Sequence, residues 1–210
     1  MSKWSDFYGH EENKFRSFEE YYQSKIRYKL PLIRQVQQLA KKGRIVELGC
    51  GTGLSCIYLS TTGLQVVGVE KDMGMLNIAT YNNKRLNGRA KFCQQNLECW
   101  KPNETIGVTF NNGVMEHFSD DRIIHIINHV LSYSKHYVIG IPTAVFKPTQ
   151  AVIGDERFMK LVAWRRIIAR SNARIVKEVY YNSSSPPLKR ALALMIPDYN
   201  QFVAFVLERI

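Results

Sequence analysis

The sequence lacks the long apolar segments of membrane proteins and the leader of secreted proteins. No apolar run in its 210 residues approaches the ~20 residues that a helix needs to cross a bilayer. Residues 1–6 are polar and aromatic, without the apolar stretch of a signal peptide. We therefore expect a cytoplasmic protein without a membrane partner.

Cysteine is scarce, and the spacing that marks many metal or disulfide sites is missing. The chain has four cysteines, none of them in a CxxC pair, so free thiols are expected. His125 and His129 are four residues apart and could share a metal on a helix, but no third ligand lies nearby in the sequence. We therefore predict no bound metal.

Acidic residues are fewer than basic ones, with 18 Asp and Glu against 29 Lys and Arg. The formal net charge of +11 and a pI near 9.6 could attract nucleic acid or another anionic partner. However, the basic residues are dispersed and form no long run of like charges, so solvated helix surfaces explain most of this excess. Hydrophobic residues make up 45% of the chain, which is ordinary for one globular domain.

A strand, a glycine turn and a helix start follow one another in residues 44–59. The apolar segment before Glu47 predicts a buried strand, and residues 54–59 predict the start of a helix. Between them three glycines occupy every second position: Gly49, Gly51 and Gly53. Glycine tolerates positive φ and has no Cβ, so such a turn brings a ligand against bare backbone at a helix N-terminus. The G-x-G-x-G spacing differs from the G-x-G-x-x-G of dinucleotide sites, and Glu47 suits an ammonium group better than a pyrophosphate.

Residues 47–53 read E-L-G-C-G-T-G and match the E/D-x-G-x-G-x-G motif of class I S-adenosylmethionine-dependent methyltransferases at every defined position. The chain resembles these enzymes, in particular the small-molecule, type 11-like ones. The resemblance implies S-adenosylmethionine as cofactor, S-adenosylhomocysteine as its product, and no metal. It also implies that Glu47 contacts the amino-acid end of the cofactor. The turn itself is expected to approach the cofactor through Gly49, Cys50, Gly51 and Gly53.

Three further strand ends carry residues that the resemblance assigns to the cofactor. The second strand ends in Glu70, whose carboxylate can accept hydrogen bonds from both ribose hydroxyls. Asp72 is predicted to cap the following helix. The remaining candidates are Lys71 and Met75 after Glu70, Asn96 and Leu97 around the adenine, and Asn111 and Asn112 near the methionine end.

The loop after the fourth strand contains the catalytic candidates. Val114-Met115-Glu116-His117 matches closely the V-L-E-H form that the family usually has at this place. His117 is the candidate general base because its unperturbed pKa is near ~6.5, and Glu116 lies beside it. The alternative is that both residues only stabilise the loop, since methyl transfer needs alignment more than it needs a base.

The N-terminal part is predicted to be a helical lid over residues 1–43, followed by a cofactor-binding methyltransferase domain over residues 44–210. The lid is rich in aromatic residues mixed with charge, and Tyr8, Tyr21 and Tyr22 are the candidates for substrate contacts. In the resembled family, segments at this place often close over the cofactor. The alternative is a helix that packs permanently on the domain.

Alternating strand and helix patterns predict an α/β fold. The resemblance specifies a Rossmann-like three-layer sandwich whose seven-stranded sheet is mostly parallel, with an antiparallel last strand. Helices are expected over residues 155–170 and 188–195.

The resemblance predicts in-line methyl transfer to an O, N or C nucleophile of a small molecule, by a monomer or homodimer. Methylation of RNA or another nucleic acid is the alternative that the positive charge motivates. Enzymes of this fold that methylate base amines have N/D-P-P-Y/F after the fourth strand, whereas residues 111–114 read N-N-G-V. A third possibility is a cofactor-binding protein that does not catalyse transfer.

Overall fold

The computed structural model describes residues 3–41, 43–146, 154–183, 193 and 195–210. Within these residues one sheet has seven strands in the order β3-β2-β1-β4-β5-β7-β6. The strands are β1 Ile45–Leu48, β2 Val66–Glu70, β3 Lys91–Gln94, β4 Ile106–Asn112, β5 Ser134–Pro142, β6 Ala173–Ser183 and β7 Asn200–Arg209. β7 runs antiparallel to β5 and β6, and the other neighbouring strands are parallel. The predicted sheet is therefore confirmed.

Helices precede the sheet and connect its parallel strands. Those with described bounds are α1 Lys3–Glu12, α2 Phe18–Ala40, α3 Leu54–Thr61, α4 Met73–Arg85, α5 Asp120–Leu131 and α6 Leu161–Ala169. A short 3-10 helix, Met115–His117, follows β4. The side chain of Asp72 accepts a hydrogen bond from the Met75 amide at 3.0 Å and so caps α4. The predicted cap at Asp72 is confirmed.

The sheet is covered on both faces, which gives the three-layer arrangement. All four residues of β1 are buried, and the two hydrophobic clusters lie between the sheet and α2 and α3, and between the sheet and α5 and α6. α2 contributes Leu32, Ile33 and Val36, and α5 contributes Ile126 and Ile127, all with 0% of their surface exposed. Burial of one such side chain stabilises the fold by about 1.5–3 kcal/mol.

The position of α2 changes the predicted domain division. Because α2 packs into the same core as α3 and the sheet, residues 18–40 do not form a lid that could separate from the rest. By contrast, the described side chains of α1 contribute no residue to either hydrophobic cluster. The lid prediction is therefore restricted to α1.

Helix α6 begins at Leu161, later than predicted. Residues 155–160 form a loop because Arg157 makes hydrogen bonds outside its own segment. Its backbone amide donates to the Glu116 carbonyl at 3.0 Å, and its side chain donates to the Phe118 carbonyl. The predicted helix over residues 188–195 falls mainly outside the described residues. No helix that the structure describes combines the length and apolar character that a membrane crossing requires.

Candidate active site

The carboxyl ends of β1, β2 and β4 meet at one edge of the sheet and open into a first cavity of about 280 Å³. In open α/β sheets this edge, where the strand order reverses, is where ligands bind. The cavity brings together candidates from separate parts of the sequence. Those that line it are Glu47, Gly49, Cys50, Gly51, Glu70, Lys71, Met75, Asn96, Leu97 and Asn112.

The glycine turn presents bare backbone to the first cavity. Gly51 has a φ of +54°, and a Cβ built on it would meet only the Met75 methyl group, at 3.7 Å. Unlike Gly49 and Gly51, Gly53 is not among the described residues that line the first cavity. A Cβ on Gly53 would lie 2.8 Å from the Phe92 ring. In this structure Gly53 allows close packing at the start of α3, and its assignment to the cofactor stays a prediction.

Glu70 joins the glycine turn to the loop after β2. Its Oε2 accepts a hydrogen bond from the Gly51 amide at 3.0 Å. Its Oε1 accepts from the amides of Lys71 at 2.9 Å and Asp72 at 3.0 Å. An ionised carboxylate has about four acceptor positions, so Glu70 can hold this loop geometry and still accept from a ligand. Glu70 therefore has a structural role in addition to the one predicted from the sequence.

Glu47 lies at the inner end of the first cavity and is only 3% exposed. Burial raises the pKa of its carboxyl, and the nearby Lys29 ammonium opposes this rise. The Cys56 thiol donates a hydrogen bond to Glu47 Oε2 at 3.0 Å. Burial also lowers the pKa of Lys29, which lines the same cavity from α2. The inner end of the cavity thus carries one acidic and one basic group.

Asn96 and Leu97 form the opposite part of the cavity wall, together with the Met75 side chain. Asn96 Oδ1 accepts a hydrogen bond from the Glu98 amide at 3.1 Å. This bond fixes the loop after β3 and uses one of the two lone pairs of the amide oxygen. One acceptor position of Asn96 therefore remains for a ligand.

The two asparagines at the end of β4 point to opposite faces of the sheet, as alternate strand residues do. Asn112 lines the first cavity and accepts a hydrogen bond from the Tyr181 hydroxyl at 3.2 Å. Asn111 has no exposed surface, and its Nδ2 donates to the Tyr137 hydroxyl at 2.6 Å on the other face. The structure therefore places Asn111 in the core, and its assignment to the cofactor stays a prediction.

A second cavity of about 720 Å³ adjoins the first. Its walls come from α1, α2, the loop after β4 and the loop before α6, and they are rich in aromatic residues. Seven residues line both cavities, and we call them the junction: Trp4, Tyr8, Lys29, Thr52, Asn112, Gly113 and His117. The two cavities are therefore neighbours that meet at these seven residues.

The three candidate tyrosines have different positions. Tyr8 on α1 belongs to the junction, and burial among several carboxylates raises the pKa of its hydroxyl to about 12. Tyr21 lines the second cavity only. Tyr22 is among the described residues that line neither cavity, and its ring packs against Phe18 with centroids 6.5 Å apart. Tyr22 therefore packs in the core of this structure, and its contact with the substrate stays a prediction.

Glu116 and His117 lie on the short helix after β4. His117 Nδ1 is 2.6 Å from Asp155 Oδ1, and the Trp4 ring packs edge-on against the imidazole with centroids 5.4 Å apart. With the proton on Nδ1 and directed at the Asp155 carboxylate, Nε2 would be an acceptor. Glu116 lines the second cavity, and burial raises the pKa of its carboxyl to about 8.

Groups that can bind metals occur together once among the described residues. His117, Asp155 and Glu156 have ligand-type atoms within 4.8 Å of one another. In this cluster His117 and Asp155 are already paired with each other. The other histidine pair considered from the sequence is arranged differently, since His129 Nε2 lies 2.8 Å from the Trp100 carbonyl.

Solved structures share this fold at low sequence identity. An S-adenosylmethionine-dependent methyltransferase from Clostridium acetobutylicum ATCC 824 has a TM-score of 0.66 and 11% identity, covering 87% of this chain and 90% of its own. Magnesium protoporphyrin IX methyltransferase from Synechocystis PCC 6803, with S-adenosylmethionine bound, has a TM-score of 0.61 and 14% identity. The match covers 87% of this chain and 81% of that protein. Geranyl diphosphate C-methyltransferase from Streptomyces coelicolor A3(2) has a TM-score of 0.61 and 13% identity. The match covers 93% of this chain and 82% of that protein.

In sequence, residues 45–136 match the family described as a methyltransferase domain. Residues 45–136 are therefore a methyltransferase domain, and the comparisons support a class I S-adenosylmethionine-dependent one. The resemblance carried by residues 47–53 and 114–117 is thereby confirmed. No match was found among curated protein sequences. Structures similar to this methyltransferase domain contain S-adenosylmethionine or S-adenosylhomocysteine, which supports S-adenosylmethionine as its cofactor.

Lys29 on α2 lines the first cavity and was not among the residues predicted from the sequence. The sequence does contain an indication that Lys29 is buried, because Lys29 follows Ile26 by three residues and precedes Ile33 by four. This spacing puts the lysine on the buried stripe of an amphipathic helix, where a charged side chain requires a partner. A lysine in such a position predicts a buried acidic group or ligand opposite it.

Proposed function

We propose that this methyltransferase transfers the methyl group of S-adenosylmethionine in-line to an O, N or C nucleophile of a small molecule. The observation that carries the proposal is that the two cavities lie side by side and share the residues of the junction. When bound, the cofactor supplies an electrophilic methyl group on a sulfonium. A nucleophile held in the second cavity approaches the junction from the side opposite to the first cavity, as displacement at carbon requires.

The lining of the first cavity fits this cofactor. The bare backbone at Gly51 leaves room for close approach, and Glu70 would accept hydrogen bonds from the ribose hydroxyls. Asn96 and Leu97 would frame the adenine, with Met75 as an apolar neighbour. Lys71 and Cys50 would complete the wall.

The amino-acid end of the cofactor would lie at Glu47 and Lys29. Its ammonium group matches the buried Glu47 carboxylate, and its carboxylate matches the Lys29 ammonium. Burial of both protein groups strengthens these interactions, because the effective dielectric constant is lower than in water. This pair explains how the site could distinguish an amino-acid end from a phosphate end.

Helix α1 would cover the bound cofactor and narrow the approach to the methyl group. It contributes Trp4 and Tyr8 to the junction, and Trp4 contacts His117 on the loop after β4. A cover at this place excludes water from the reacting groups and limits which acceptors can reach them. Movement of α1 on binding is the lid hypothesis in its restricted form.

A small molecule suits this site better than a nucleic acid. The junction lies beneath α1, and seven arginines of the described residues already pair with carboxylates, which leaves them less available for phosphate contacts. Ion pairs are formed by Arg44, Arg85, Arg122, Arg157, Arg165, Arg170 and Arg174. A cytoplasmic location and a monomeric or dimeric state are further predictions from the sequence.

Labelled methyl transfer tests the proposal. The purified protein is incubated with methyl-labelled S-adenosylmethionine and, separately, with metabolite, RNA and protein fractions of a cell extract. We expect label in a small-molecule product, with one equivalent of S-adenosylhomocysteine formed. Label in the RNA fraction would favour the nucleic-acid alternative, and cofactor binding without transfer to any fraction would favour the non-catalytic one.

A further inference from the structure

The second cavity contains a buried carboxyl group, one oxygen of which has no hydrogen-bond partner among the described residues. Glu116 is 5% exposed and lines this cavity. Its Oε2 is buried and has no hydrogen-bond partner among the described residues. Leaving a buried polar group unsatisfied is costly, so an oxygen of this kind in a cavity wall points to a ligand that donates to it.

Three of the cations near this cavity are directed elsewhere, and a fourth, Arg27 on α2, is exposed. Lys25 Nζ pairs with Glu11 at 3.0 Å, and Lys29 lies opposite Glu47. The guanidinium of Arg157, whose backbone contacts the Glu116 carbonyl, donates to the Phe118 carbonyl and to Asp120. The cavity therefore offers Glu116 no positive charge from these neighbouring side chains.

The groups that face Glu116 keep its carboxyl neutral in the absence of a ligand. Burial raises its pKa to about 8, and the charges of Glu156 and Asp155 in the loop before α6 add to the rise. Tyr8 on α1 and Tyr181 on β6 also lie within its electrostatic reach, and burial raises the pKa of both hydroxyls. A cation bound beside Glu116 would lower the pKa of this carboxyl again and favour its ionised form.

The rest of the cavity wall suits an apolar or aromatic body. Eight Phe, Tyr and Trp side chains of the described residues line it, from α1, α2, the segments at residues 146 and 158, and β7: Trp4, Phe7, Tyr8, Tyr21, Tyr28, Phe146, Phe158 and Phe202. Aromatic faces bury apolar surface and also attract organic cations. The wall thus combines one unpaired acidic group with several rings.

We infer that the methyl acceptor is an amine attached to an apolar or aromatic group, and that Glu116 binds its nitrogen and takes its proton. This inference rests on the proposed function. In the transfer step the proton of the ammonium passes to the Glu116 carboxylate, and the freed nitrogen lone pair forms a bond to the methyl carbon. The carbon–sulfur bond breaks, and its electron pair stays on sulfur. The products are the N-methylammonium, S-adenosylhomocysteine and the neutral Glu116 carboxyl.

The test compares matched amines and alcohols on the full-length protein with saturating S-adenosylhomocysteine. Calorimetry measures the affinity of phenethylamine against 2-phenylethanol, and of tryptamine against tryptophol. A charge-assisted hydrogen bond predicts that each amine binds roughly ten- to hundredfold tighter than its alcohol. In Glu116→Gln this preference is lost. In the control Glu104→Gln, which removes a surface carboxylate that pairs with Arg44, the preference is kept.

Difference infrared spectroscopy supplies a readout other than affinity. The carbonyl band of a protonated carboxyl should disappear when tryptamine binds to the wild-type protein, and Glu116→Gln should lack this change. If neither amine exceeds its matched alcohol, or if Glu116→Gln retains the preference, the inference is wrong. S-Adenosylhomocysteine binding is measured first: its absence would contradict the proposed function, whereas normal cofactor binding without an amine preference contradicts only this inference.

Discussion

Gly51 offers a sharp test of the first cavity because the chain contains a matched control glycine. Gly51 and Gly63 both have positive φ, +54° and +86°. A Cβ would meet only the Met75 methyl group at Gly51 and nothing within 4 Å at Gly63. Gly63 is exposed in the turn after α3, whereas Gly51 faces the first cavity. Alanine at either position therefore introduces similar backbone strain, but only Gly51→Ala places a methyl group in the proposed cofactor site.

The expected effects on stability and on affinity can be separated. A non-glycine residue in the left-handed region costs about 1–2 kcal/mol, which lowers Tm by roughly 2–8 °C for a domain of this size. Both variants should show this loss. Forcing an extra methyl group into a fitted contact costs about 1–3 kcal/mol, so Gly51→Ala should weaken S-adenosylhomocysteine binding by about ten- to hundredfold.

Calorimetric titration with S-adenosylhomocysteine and thermal unfolding of the free proteins provide the two measurements. Gly63→Ala is expected to bind with wild-type affinity despite its lower Tm. If Gly51→Ala also binds with wild-type affinity, the backbone at Gly51 does not approach the cofactor, and the assignment of the first cavity is refuted.

Glu70→Ala should lower S-adenosylhomocysteine affinity by about ten- to hundredfold because it removes the ribose acceptor and the anchor of the Gly51 amide; unchanged affinity in calorimetry would argue against this role. The pKa of the Glu116 carboxyl is near 4.5 in the unfolded chain and is raised to about 8 by burial in the folded protein. Between these two pH values, the free energy of unfolding of the wild-type protein should therefore fall relative to that of Glu116→Gln as pH rises. A difference between the two proteins that stays constant with pH would contradict this prediction. Hydrogen exchange in residues 3–12 should slow when S-adenosylhomocysteine binds, whereas equal protection would identify α1 as permanently docked. EDTA should leave methyl transfer unchanged, since His117 already pairs with Asp155; loss of activity restored by a divalent ion would reveal a metal.

The part of the site that could be predicted from the sequence is the part that local sequence determines. Glu47, the glycine turn and the start of α3 are contiguous, so strand, turn and helix signals fix their geometry together. Glu70 was predictable because it ends a strand, and the carboxyl ends of neighbouring parallel strands meet at one edge of the sheet. The sheet followed from the same alternation of strands and helices.

The features that sequence reasoning missed depend on contacts between distant residues. Gly53 packs against Phe92, a residue of another strand, so its motif position did not reveal its role. Strand β4 ends with two asparagines that point to opposite faces of the sheet. The position of β4 in the folded sheet decides that Asn112 and not Asn111 faces the first cavity. Helix α6 starts late because Arg157 finds hydrogen-bond partners in the loop after β4.

A crystal structure of the complex with S-adenosylhomocysteine tests the central claim most directly. We predict that the ribose hydroxyls bind Glu70, that the amino-acid end lies between Glu47 and Lys29, and that the sulfur lies at the junction, facing the second cavity. A cofactor bound elsewhere, or a sulfur that faces away from the second cavity, would contradict the account.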